Sequence, residues 1–188
     1  AVDRAGRIVA GTMNFMHHVR PDGRLFRLDA DLSLKELDAG LSVANGIGFS
    51  PDGQVMYVSE QFAGRILAYD YDAAAGKASR KRLFAAVPKE KGLPDGIIVD
   101  SEGFVWNGRW GGATIARYSP DGELDREYEL PVETGTCLAF GGEDMKDLFI
   151  TTAWYGLGQA GRAAAPHAGD LFVIRTGIEG TIEPRFAG

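Results

Sequence analysis

Apolar and polar residues alternate along this chain in short runs broken by glycine, proline and acidic residues, a period-two pattern that predicts β-strands. Four segments, residues 2–11, 49–58, 99–108 and 140–150, share one form. Each has a short apolar run, a turn with Gly or an acidic residue, and a second run ending in small or polar residues, so each reads as a hairpin. With Val2, Phe49, Val99 and Phe140 taken as equivalent, the spacings are 47, 50 and 41 residues. Their mean, about 46, is the period of a propeller blade. A third strand follows each hairpin after a Gly-containing loop, at residues 25–28, 66–69, 115–118 and 171–174, and a more polar fourth strand closes the unit, as at 81–84 and 126–130. The expectation is an all-β fold, a β-propeller of four consecutive blades with sixteen or nearly sixteen strands, in one domain over residues 1–188. No apolar stripe at i, i+3, i+4, i+7 lasts three turns, so no long helix is expected.

Strand alternation sorts the loops. The entrance to each first strand and the loop between the second and third strands lie at one end of a propeller. That end collects the loops 12–23, 61–64, 110–112 and 153–169. The turns Pro51-Asp52-Gly53 and Pro120-Asp121-Gly122 fall at the opposite end, where they reverse the chain.

Composition narrows the field. At 188 residues, 45% apolar, with 10 Phe, 6 Tyr and 3 Trp, the chain can bury an ordinary core. A net charge of −6 with dispersed Lys and Arg argues against nucleic acid and membrane partners, and Arg80-Lys81-Arg82 reads as a solvated strand face. The lone Cys137, in the apolar run 137–140, is expected to be a small buried side chain. No stretch approaches the roughly 20 apolar residues that span a bilayer, and the first ten residues carry Asp3, Arg4 and Arg7, so a cytoplasmic setting is expected, with any targeting sequence lying upstream of Ala1.

Four residues before three of the repeat anchors stand Asn45, Asp95 and Thr136. First strands line the central channel, so side chains at these entrances converge on the axis from different blades. Asn45-Gly46 also reads as a two-residue hairpin turn, and Pro94-Asp95-Gly96 as a surface turn. The register favours the channel, since both precede a first strand. A carboxylate and an amide oxygen suit a hard cation such as Ca²⁺, Mg²⁺ or Mn²⁺. Thr136 is the weaker candidate, a hydroxyl being an easy capping group. His17, His18 and His167 read as solvated or pocket-wall residues, and no serine-hydrolase, zinc-protease or paired-cysteine motif occurs. Trp110, Trp154 and Tyr155 lie on the same face, either as walls of a sugar-sized pocket or as packing between blades.

Several stretches resemble the regucalcin and gluconolactonase family, also called senescence-marker-protein or luciferin-regenerating-enzyme-like. They are Asp3-Arg4-Ala5-Gly6-Arg7 leading to Ala10-Gly11-Thr12-Met13, Asn45-Gly46-Ile47-Gly48-Phe49-Ser50, Leu93-Pro94-Asp95-Gly96, Phe140-Gly141-Gly142 and the closing Phe186-Ala187-Gly188. The resemblance implies a six-bladed propeller with one divalent metal, Ca, Zn, Mn, Mg or Fe, bound by a Glu, an Asn and an Asp. It makes Asn45 and Asp95 metal ligands and Asp95 the general base in the hydrolysis of a sugar lactone. It also implies that the Glu, a substrate-binding Arg and Asn, and roughly the first two blades lie upstream of Ala1. Where the family has an acidic substrate contact, this chain has Asn14, Phe15 and Met16; Asn14, Trp110 and Trp154 are the expected substrate contacts.

Two rivals belong to other classes: a non-catalytic propeller that serves as a binding scaffold, and a related propeller esterase acting on aryl or phosphate esters. The chain by itself is expected to bind metal weakly, to leave lactone intact and to aggregate, because two missing blades expose two apolar faces; closure of four blades into a small complete ring is the alternative.

Overall fold

The computed structural model describes residues 1–188 as four antiparallel sheets around a common channel. The first holds β1 (Ile8–Gly11), β2 (Gly23–Leu28) and β3 (Leu34–Leu41). The second holds β4 (Ala44–Phe49), β5 (Val55–Glu60), β6 (Arg65–Asp72) and β7 (Lys77–Ala86). The third holds β8 (Leu93–Val99), β9 (Val105–Trp110), β10 (Thr114–Tyr118) and β11 (Leu124–Glu129). The fourth holds β12 (Gly135–Gly141), β13 (Asp147–Thr152) and β14 (Leu171–Arg175).

Fourteen strands thus stand where up to sixteen were expected. In the first sheet Val2 makes a single bridge to Ile8 in place of an inner strand. In the fourth, the chain leaves the sheet after β14 and crosses the turn end of the channel. There Glu179 O accepts from Ser101 N, Thr181 Oγ1 donates to Val99 O, and Ala187 N donates to Gly6 O. The one α-helix, α1 (Gly158–Ala164), is a two-turn insertion in the long loop before β14.

Middle strands are buried on both faces, as in β5 and β9, whereas the outer β3, β7 and β11 are largely exposed, which accounts for their polar composition. Adjacent residues therefore serve different cores. Met56 and Val58 pack with Val9, Leu25 and Leu41 between the first and second sheets, while Tyr57 joins Ile97, Val99 and Val105 between the second and third. A third core, with Trp106, Ile115, Phe140 and Leu148, joins the third and fourth sheets. No core joins the fourth sheet to the first, and β14 leaves Leu171 and Val173 exposed. The blades form an open arc; the four do not close on themselves into a ring.

At the turn end, two hairpins use the same device. Asp3 Oδ1 accepts from the backbone of Ala5 and Arg7 at 2.9 Å, and its Oδ2 from Tyr71. Asp100 Oδ1 accepts from Glu102 and Phe104 at 3.0 Å, and its Oδ2 from Trp106 Nε1 and the Arg117 guanidinium. A buried carboxylate thereby ties a tight turn to the neighbouring strands.

Candidate active site

Three inner strands carry the same irregularity at the same place. Between β4 and β5, Ala44 pairs with Glu60 and Ile47 with Val58, so Asn45 and Gly46 together oppose Ser59. Between β8 and β9, Asp95 and Gly96 oppose Gly108; between β12 and β13, Thr136 and Cys137 oppose Thr151. Each is a β-bulge, which leaves one residue unpaired and re-aims its side chain. The equivalence of Asn45, Asp95 and Thr136, expected from the repeat, is therefore an equivalence of backbone geometry.

The bulges also account for Asn-Gly and Asp-Gly. Both dipeptides lie inside strands, β4 and β8, and Gly46 lacks the positive φ of an Asn-Gly hairpin turn, so neither forms the hairpin or surface turn that these dipeptides alone suggest. A Cβ on Gly46 would lie 2.2 Å from Asp95 O, and one on Gly96 2.5 Å from Thr136 O. Glycine is required because successive blades meet backbone to backbone at the axis.

These strands enclose a cleft of about 760 Å³ whose lining includes Asn45, Gly46, Asp95, Gly96, Thr136 and Cys137. Asp95 is buried, and burial raises its carboxyl to about 7, with a hydrogen bond from Asn45 acting in the opposite sense. No Lys, Arg or His contributes to that balance. Asn45 is exposed to the cleft and its Nδ2 donates to Gln61 Oε1 at 3.1 Å, which orients the amide and leaves Oδ1 without a protein donor. The pair presents oxygen ligands from two blades with no cation of the protein's own nearby, a donor set that fits a hard divalent cation. Two protein ligands are fewer than such an ion takes, and no cluster of three or more His, Cys, Asp or Glu side chains occurs.

Thr136 behaves as a cap, its Oγ1 donating to Thr151 O at 3.0 Å. Cys137 corrects an expectation: it is exposed. Residues 137–140 alternate, with Leu138 and Phe140 in the core and Cys137 and Ala139 on the cleft side of the strand. The structure does not bring Asn14, Trp110 and Trp154 into the cleft lining. Asn14 shapes its own loop, donating to Asp22 Oδ2 at 2.7 Å and accepting from the backbone of Met16 and His17. Trp110 approaches Tyr155 at 6.3 Å, and Trp154 lies under the Arg162 guanidinium beside α1. His18 lies between Phe15 and Phe62, and His167 pairs with Asp170 on the surface.

Sequence reasoning missed the polar residues buried behind the bulges: Ser59, Gln61, Asn107 and Arg109. The signal for them was present, since β5 and β9 are apolar second strands that turn polar at their channel ends.

Comparison with known proteins gives a consistent result. Residues 1–154 match the SMP-30/Gluconolactonase/LRE-like region. The chain is 38% identical to the pentonolactonase of Haloferax volcanii, over 98% of its own length and 63% of the relative's. It is 40% identical to the L-arabinolactonase of Azospirillum brasilense, over 90% of its length and 56% of the relative's. Among solved structures, the calcium-binding regucalcin of Agrobacterium tumefaciens superposes with a TM-score of 0.93 at 30% identity, covering all of this chain and 63% of that one. The chain thus spans about three fifths of the length of these relatives.

Proposed function

The chain belongs to the SMP-30/gluconolactonase/LRE-like family, and on that footing we propose that its protein is a metal-dependent hydrolase that opens sugar lactones. The observation that carries this reading is the buried Asp95 carboxylate, raised to about 7 and lacking a cationic neighbour, beside the free oxygen of Asn45 at the channel mouth. Asn45 and Asp95 would hold a divalent cation there, which when bound would supply Lewis-acid polarisation of the ester carbonyl. Asn45, oriented by Gln61, holds its oxygen toward the ion. Asp95, a carboxylate at the cleft and within reach of a cation-bound water, accepts the proton of the attacking water. No side-chain nucleophile is needed, and the exposed Cys137 carries none of the steps.

The lactonases that the chain resembles support a sugar lactone as substrate, and the calcium-binding neighbour supports a divalent cation. The relatives are longer than this chain, and we propose that the further ligands and blades of the complete unit occupy the open flank between the first and fourth sheets. Asp95→Ala is the test. In the full-length protein it abolishes hydrolysis of a pentonolactone and weakens Mn²⁺ binding while the far-ultraviolet circular dichroism stays unchanged. Activity within a few fold of wild type removes Asp95 from both roles.

A further inference from the structure

Asn107 lies wholly buried behind the cleft, out of reach of any substrate. Its side-chain amide nitrogen donates to Gly96 O at 2.9 Å, to Asp95 O at 3.3 Å and to Ser59 Oγ at 3.2 Å. The first two acceptors are the backbone carbonyls of the bulge that carries Asp95. The third belongs to the residue that opposes the bulge carrying Asn45, on the neighbouring blade. The Asn107 oxygen is occupied in turn by the Arg109 guanidinium, which also reaches the Tyr118 hydroxyl. The amide therefore has one orientation, with its donors toward both bulges. A bulge interrupts the ladder and leaves carbonyls unpaired, and buried carbonyls must find donors elsewhere. Here one side chain supplies them for one blade while gripping the next.

We propose that Asn107 is a positioning residue that fixes the spacing of Asn45 and Asp95 by clamping the two bulges together. It touches neither the reacting atoms nor an ion; it sets where two ligands from separate sheets stand relative to each other. The consequence for catalysis rests on the reading of Asn45 and Asp95 as the hydrolytic site. The clamp itself does not.

Three variants separate clamping from packing. Asn107→Asp keeps the size and an oxygen for Arg109 but removes the donors; Asn107→Ala removes both; Ser59→Ala removes only the grip on the second blade. Hydrogen–deuterium exchange of the full chain reads the clamp directly, beside a urea melt for global stability. A lost buried hydrogen bond corresponds to local opening on the order of tenfold more frequent. Both Asn107 variants are expected to raise exchange about tenfold in residues 44–48 and 94–98 and to leave the outer strands β7 and β11 unchanged. Ser59→Ala is expected to affect residues 44–48 alone. In the full-length protein, Asn107→Asp also raises the Mn²⁺ dissociation constant about tenfold and lowers kcat for lactone with KM little changed. Exchange rising evenly over the chain in proportion to lost stability, or Asn107→Asp matching wild type at both segments, overturns the clamp. Absence of Mn²⁺ binding and lactone hydrolysis in the wild type overturns the hydrolase reading instead, and exchange still decides the clamp.

Discussion

Burial of Asp95 makes the cation-free protein depend on pH in the sense opposite to that of an ion-paired carboxylate. Folding raises its carboxyl from the ordinary 3.8 to about 7. A group with a higher pKa folded than unfolded contributes fully below its unfolded value, where it is neutral in both states. That contribution is lost as pH rises through the folded value, because the fold must then hold a charge that water would solvate. The window runs from about pH 4 to about pH 7. At ~1.4 kcal/mol per pH unit the loss across it is at most about 4 kcal/mol, a large share of a domain's net stability. Asp95→Asn keeps the neutral shape at every pH. Urea melts of both proteins in chelator should give similar stabilities near pH 3, a gap of about 1 kcal/mol near pH 4.5, and one opening to as much as about 4 kcal/mol in favour of the Asn variant by pH 8. A divalent cation at a hundredfold over its dissociation constant should return about 2.7 kcal/mol to the wild type alone. A gap that stays constant with pH, or one that closes as pH rises, refutes the reasoning.

Gly46→Ala drives a methyl group to 2.2 Å from Asp95 O and 2.5 Å from Ile97 N, both backbone atoms that cannot swing aside. It should cost about 3 kcal/mol and lower the melting temperature by roughly 10 °C, and a loss below 2 °C would show that the blades part easily. Asp100→Ala strands the Trp106 indole and removes the most buried of three carboxylates around Arg117, which keeps Glu102 and Asp125. Chemical denaturation should show a loss of about 3 kcal/mol, with a loss under 1 kcal/mol counting against the strut. Cys137, exposed in the cleft, should react with an aromatic disulfide reagent in native buffer at a rate denaturant barely increases; protection until unfolding would contradict its placement.

The arc's architecture was legible in the sequence because a propeller repeats one local pattern. Period-two alternation located the hairpins, the spacing of about 46 residues identified the blade, and a common offset from the anchors brought Asn45, Asp95 and Thr136 to one level. What the sequence by itself determined, then, is which residues alternate, where the chain turns and which positions are equivalent, since all of these follow from local backbone geometry. Tertiary structure decided the rest. Whether Asn-Gly and Asp-Gly are turns or bulges depends on a neighbouring carbonyl about 2 Å from where a Cβ would sit, which no single strand encodes. Which face of the apolar run 137–140 is covered is set by the neighbouring sheet, which buries Leu138 and Phe140 and leaves Cys137 and Ala139 on the cleft. Asn107 joins Ser59 across 48 positions of chain, and its role exists only once two blades meet. The titration of Asp95 is of the same kind, because desolvation belongs to the packed channel and not to the carboxyl itself.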